Sequence, residues 1–210
     1  MTDNGNGKIA IDFIDPLFAV VLSVSFAQIF SQQWFQDWRL ILHEPTIFYI
    51  MTLFLAYLTV ILSWVGYHRS VNRCQIMVNS FAGRARFYLD ILLLISYFIL
   101  LVSYENFRRE INVVAIVFLL YWAWDQFKRI EWPERDVDST ARRGVTVFWL
   151  IFFAFLAFAY QVHPPAKARG CEDWLIALSA ITGTILYRWH KKYLWFKWLL
   201  LRLGFPEAHA

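Results

Sequence analysis

Six apolar stretches follow one another along this chain, at residues 14–35, 47–67, 87–104, 111–127, 145–162 and 174–189. Crossing the hydrocarbon core of a bilayer takes about twenty consecutive apolar residues in a helix, and each stretch approaches that length. The fourth reaches it only when Asp125, Gln126 and Phe127 are counted in. Backbone amides in hydrocarbon have no water to bond, so segments of this kind fold as helices whose hydrogen bonds close within the segment. The expected architecture is an all-α integral membrane protein, one domain of six transmembrane helices over residues 1–210. Composition agrees, because 59% hydrophobic and 20% aromatic residues with a mean hydropathy of +0.44 exceed what a soluble domain can cover with polar surface. The polar start Met1 to Lys8 runs into an apolar stretch longer than a signal core and without a clear cleavage site, so the first helix is expected to be retained.

Lys and Arg set the expected orientation, since short cytoplasmic loops carry an excess of them. With the amino terminus inside, 15 of the 20 basic residues fall in the cytoplasmic segments, and Arg39, Arg108, Arg109, Lys167 and Arg169 are left outside. Both termini are therefore predicted to be cytoplasmic, in a multi-pass protein of the cell (inner) membrane. The net charge of +4 then reflects topology and calls for no nucleic-acid partner. Cys74 falls inside and Cys171 outside, which excludes a disulfide within the chain. Residues 191–203 mix Lys and Arg with Trp, Phe and Leu and read as an interfacial helix that stops near Gly204 and Pro206. Residues 131–143, with Pro133 and clustered acids and bases, read as a solvated cytoplasmic loop on which a regulator could dock. There is no Gly-rich phosphate loop, no Cys or His pair at zinc spacing and no nucleophile constellation, so neither enzymatic chemistry nor a metal or cofactor is expected.

Ionisable groups at the ends of these stretches draw attention, because charge at membrane depth is costly and is retained mostly where it meets a partner, a wet cavity or an ion path. Asp15 opens the first stretch and His68 closes the second. Asp15 followed by Pro16 can also be an ordinary helix start, with proline at the first helical position, and His68 with Arg69 can be a snorkelling interfacial flank. On a helical wheel Val20, Ser23, Ala27 and Ser31 share one small, partly polar face of the first helix. Two explanations compete: close packing against a neighbouring helix, or the lining of a narrow pore.

The run Phe13-Ile14-Asp15-Pro16-Leu17-Phe18 resembles the Phe-Ser-Asp signature that opens the first helix of the transmembrane protein 175 family, the endolysosomal potassium channels and their prokaryotic relatives. Trp64-Val65-Gly66-Tyr67-His68-Arg69 is similar to the end of that family's second helix, and Leu89-Asp90-Ile91-Leu92 to the start of its third; the likeness covers about residues 13–105. Ile9 stands where the family has arginine, Ile14 where it has the signature serine, and Pro16 where a small residue is usual. The resemblance implies a single-repeat, six-helix subunit of a homotetramer assembled around the first helix, with Val20, Ser23, Ala27 and Ser31 lining the path. It also implies a signature polar cluster of Phe13, Asp15, Trp64, His68 and Asp90. On that basis the chain is expected to be a cation channel of potassium type, with a permeant monovalent cation and no cofactor, and with a hydrophobic constriction near Val20. The alternatives are a partner-triggered membrane-depolarising effector of a stress or defence system, and a non-conducting membrane scaffold.

Overall fold

The computed structural model describes residues 4–32, 44–73, 76, 79–103, 105–133, 139–162 and 170–193. These residues form six α-helices: α1 (Asn4–Phe30), α2 (Glu44–Arg73), α3 (Phe81–Val102), α4 (Phe107–Glu131), α5 (Ser139–Val162) and α6 (Cys171–Tyr193). Among the described residues the secondary structure is all helical, as a membrane-embedded protein requires. Four of the helices, α1, α2, α3 and α5, are long and apolar enough to cross a bilayer. α4 and α6 are of similar length but carry charge at both ends: Arg108, Arg109 and Glu110, then Lys128, Arg129 and Glu131 in α4; Glu172 and Asp173, then Arg188 and Lys191 in α6.

Local chemistry accounts for the sharper boundaries. Ser80 caps α3, its hydroxyl accepting from the Gly83 amide at 2.9 Å, and Asn106 caps α4 by accepting from the Arg109 amide at 3.1 Å. Only a few residues separate α3 from α4, so the two pack as antiparallel neighbours. α4 packs between α3 and α5 and also touches α2, while α6 lies against α5 and α2. A stacked pair, Phe118 on Phe153 at 4.1 Å, and the edge of Tyr187 at 4.9 Å from Phe118 fill the junction of α4, α5 and α6. Gly183 lets α6 approach these rings: a Cβ there would meet Phe152 at 2.8 Å.

α1 stands at the edge of the bundle, with its principal contact on α3. Only 22% of its Phe13–Phe30 window is buried, against 50% for the α2 and α3 windows. Ile14, Phe18, Ser25 and Ile29 form the buried face, at helical spacing. The Ser25 hydroxyl meets the Tyr57 hydroxyl of α2 at 2.7 Å.

The helix boundaries correct three readings of the sequence. α1 begins at Asn4, so Asp15 and Pro16 lie inside a helix and do not start one; the missing proline amide removes a single i to i−4 bond, which a long helix tolerates. Glu131 belongs to α4 and is buried, because it faces Arg86 of α3 across the helix pair; it is not part of a solvated loop. Lys191 continues α6 and turns inward to Asp125, whereas the rest of the 191–203 segment beyond Tyr193, residues 134–138 and Cys74 lie outside the described residues.

Candidate functional site

Polar side chains gather at one end of the bundle, where the amino-terminal half of α1, the starts of α3 and α5 and the ends of α2, α4 and α6 come together. A cavity of 680 Å³ opens among them, walled by α2, α3, α4 and α6 and closed on one side by Ile14 and Phe18 of α1. On its α2 side Leu58, Leu62 and Val65 share one apolar helical face that ends at Arg69, with Ser63, Tyr67 and Ser70 beside it. The lining also carries Asp90, Asp125, Lys128, Arg188 and Lys191 together with the hydroxyls of Tyr97, Tyr121 and Tyr187. Ile185 and Trp189 also line it and belong to the outward stripe of α6, so the cavity reaches the outer surface between α2 and α6.

Three charge clusters surround this space. Arg86 and Glu131 form an ion pair with both side chains fully buried, and the Arg86 guanidinium lies 4.4 Å from the centre of the Trp124 ring. Asp90, only 3% exposed, is buried beside Arg86 and Trp124. In the second cluster Lys191 Nζ is 2.9 Å from Asp125 Oδ2, which also accepts from the Thr146 hydroxyl at 2.8 Å, and Lys191 donates to the Tyr187 hydroxyl at 3.0 Å. Lys191 lies beyond the apolar part of α6; burial alone would lower its pKa, but the Asp125 carboxylate and the Tyr187 hydroxyl outweigh burial and hold it above the usual lysine value. In the third, His68 Nε2 lies 2.9 Å from Asp15 Oδ1, and the Trp64 indole donates to the same oxygen at 3.4 Å. The hydroxyls of Tyr97, Tyr121 and Ser63 form a hydrogen-bonded chain along the cavity lining, Tyr97 to Tyr121 at 3.0 Å and Tyr121 to Ser63.

Of the five residues assigned to a signature cluster, the structure joins Asp15, Trp64 and His68, with the Trp64 and His68 rings 4.8 Å apart. Asp90 does not join them; it belongs to the Arg86 group on the α3–α4 side. Phe13 packs on Phe87 at 5.8 Å and is half exposed. The Asp15–His68 pair is itself partly open, with 36% and 28% of the two side chains exposed. The stripe residues Val20, Ser23, Ala27 and Ser31 are all exposed and face away from the core. Sequence reasoning passed over Arg86, Asp125, Glu131, Arg188 and Lys191, although Arg86 with Asp90 and Tyr187 with Lys191 stand four residues apart and so share a helix face. At the opposite end it also passed over Glu110, which is fully buried with neither carboxylate oxygen hydrogen-bonded among the described residues. Comparison with protein-family models, with curated proteins and with solved structures gave no match to this chain.

Two measurements check this geometry. Because the Asp15–His68 pair is partly exposed, its coupling in a double-mutant cycle of Asp15→Ala and His68→Ala is expected to be small, about 0.5 to 1 kcal/mol by thermal or denaturant unfolding in detergent; strict additivity would mean that the two groups do not communicate. Glu131→Ala leaves a buried guanidinium without its carboxylate and should cost ~3 to 5 kcal/mol in the same assay. Arg86→Met should cost at least as much, since it strips a cationic neighbour from both Glu131 and Asp90; a variant as stable as the parent would contradict the pairing.

Proposed function

We propose that this chain is the subunit of a cation channel of the transmembrane protein 175 type, with six spans, both termini cytoplasmic, and four copies assembled around α1 in the cell membrane. The observation that carries the reading is the outward stripe of α1. Val20, 56% exposed, Ser23 and Ala27, with Ser31 in the turn that follows, all face away from the core of the single chain, and the α1 window is the least buried of the four apolar enough to span a membrane. The Ser23 hydroxyl donates to the Ala19 carbonyl and the Ser31 hydroxyl to the Gln28 carbonyl, both at 2.7 Å. Their protons are thus occupied within the helix, and their oxygen lone pairs are left to meet a partly hydrated cation. A ring of Val20 side chains forms the constriction, which closes by dewetting. Asp15, His68 and Trp64 tether α1 to α2 at one end, and Ser25 with Tyr57 tethers it further along, so the pore face is fixed against the bundle.

Partner-triggered opening of the same path is a second reading, and Glu131 favours it. The start of the 131–143 segment is ion-paired to Arg86 beside the cavity, so a partner docking on that segment would act on the α3–α4 pair directly.

Purified protein in liposomes with a potassium or a sodium gradient tests the proposal. Potassium flux is expected. Ser23→Cys should make that flux sensitive to a small thiol reagent while Leu22→Cys, about one hundred degrees around the helix, stays indifferent. Ala27→Leu should reduce flux by narrowing the ring. No flux under any gradient would remove conduction by the chain alone and leave the triggered and scaffold readings; an assembled Ala27→Leu protein with unchanged flux would move the path off α1.

A further inference from the structure

We infer that the cavity between α2 and α6 holds one anionic phospholipid, its phosphate on Arg188 and an acyl chain along Leu58, Leu62 and Ile185. This inference stands apart from conduction, since it concerns the interior of one subunit and none of the stripe residues of α1.

Arg188 is the starting point. Its guanidinium carbon lies 5.5 Å from the centre of the Tyr121 ring and 5.2 Å from that of Tyr187, and its Nη1 crowds the backbone of Gly66, where no other side chain would leave it room. Among the described residues Arg188 has no carboxylate in ion-pair range. The acids around the cavity are engaged elsewhere: Asp125 binds Lys191, Glu131 binds Arg86, and Asp90 sits beside Arg86. The cavity lining contains four basic side chains, Arg69, Lys128, Arg188 and Lys191, and two carboxylates, Asp90 and Asp125, an excess of two positive charges. A guanidinium at the edge of a low-dielectric region with no protein counter-ion calls for an anion from outside the chain. A phosphate, with oxygens matching the planar fork of arginine, suits it.

Shape then selects among phosphate-bearing molecules. The cavity has the volume of a small-molecule site, which runs from roughly 300 to 1,000 Å³. Leu58, Leu62 and Val65 form one apolar helical face that leads away from the basic end, and Ile185 lies one turn before Arg188. The cavity reaches the surface at Ile185 and Trp189, an apolar edge with a tryptophan at the depth where indoles meet headgroups, and at the exposed Arg69 on its basic end. A soluble phosphate would leave this apolar wall uncovered, whereas a lipid covers it and can enter sideways from the membrane. Basic pockets between transmembrane helices on the cytoplasmic side take anionic headgroups for the same electrostatic reason.

The test uses the purified full chain in a non-ionic detergent, with retained lipid read by native mass measurement and the unfolding midpoint read by heating. Phosphatidylglycerol should be retained and raise the midpoint, with phosphatidylcholine of the same acyl chains bound about tenfold or more weakly. Arg188→Gln should lose that preference, and Arg188→Lys should restore part of it. Gly66→Ala keeps the charge but pushes the guanidinium aside, so it should weaken phosphatidylglycerol binding too, and it decides the matter where Arg188→Gln fails to fold. Leu62→Trp should exclude the acyl chain. Equal binding of the two lipids, or undiminished phosphatidylglycerol binding in Gly66→Ala and Leu62→Trp, would overturn the site. If inorganic phosphate or glycerol phosphate raises the midpoint as much as phosphatidylglycerol, the occupant is a soluble anion and the lipid assignment is wrong.

Discussion

Charge inside a membrane protein is costly unless it meets a partner, and the arrangement of α3, α4, α5 and α6 follows from two ion pairs that meet that cost. Arg86 and Glu131 lock α3 to α4 with both side chains fully buried, and Asp125 gathers Lys191 of α6 and Thr146 of α5 onto the next face of α4. A buried pair of this kind adds little net stability over a well-packed apolar pair, but losing either partner is costly, so an alignment of the helices that separated these partners would be penalised. α4 thereby becomes the hub of the bundle, although it is among the less apolar helices. Its aromatic neighbours, Trp124 over Arg86 and Phe118 against Phe153, fill the space between the charged anchors.

α1 follows a different rule. Its buried residues, Ile14, Phe18, Ser25 and Ile29, make one narrow seam, and the remaining surface finds no cover within the chain. The tethers to α2 at Asp15, Trp64 and His68 and at Ser25 and Tyr57 orient that uncovered surface without burying it. A helix held in register yet left mostly open is what an assembly around a shared axis requires, and the proposed channel rests on that combination. The cavity behind α2 serves a separate purpose in this account, because its positive excess faces the interior of one subunit and not the axis.

Hydropathy made the six helices and their sequence positions legible, since apolar length is a direct physical requirement of the bilayer. The ends were less legible, because nothing apolar marks where a helix stops. Asn4 to Lys8 is polar and still helical, and Glu131, in a run of acids and bases, reads as loop until Arg86 is seen opposite it. The proximity of Asp15, Trp64 and His68 followed from their places at matching ends of consecutive apolar stretches, although Asp15 lies well inside its helix. Asp90 shares that level but points to α4, a distinction that depends on helix rotation and that spacing along one chain does not carry. Arg188 and Glu110 were the least visible: an arginine in a basic terminus and a glutamate after two arginines look solvated until the fold turns them inward.

Cysteine cross-linking in native membranes tests most directly whether the α1 faces meet. In a background with Cys74→Ser and Cys171→Ser, single cysteines would be placed at Val20, at Ser23 and, for comparison, at Ile151 on the outward face of α5, and mild oxidation would be followed by non-reducing gel analysis. A shared axis lined by α1 predicts covalent dimers from Val20→Cys and Ser23→Cys and none from Ile151→Cys. Folded protein that gives no dimer at Val20 or Ser23, or that cross-links only at Ile151, would contradict it.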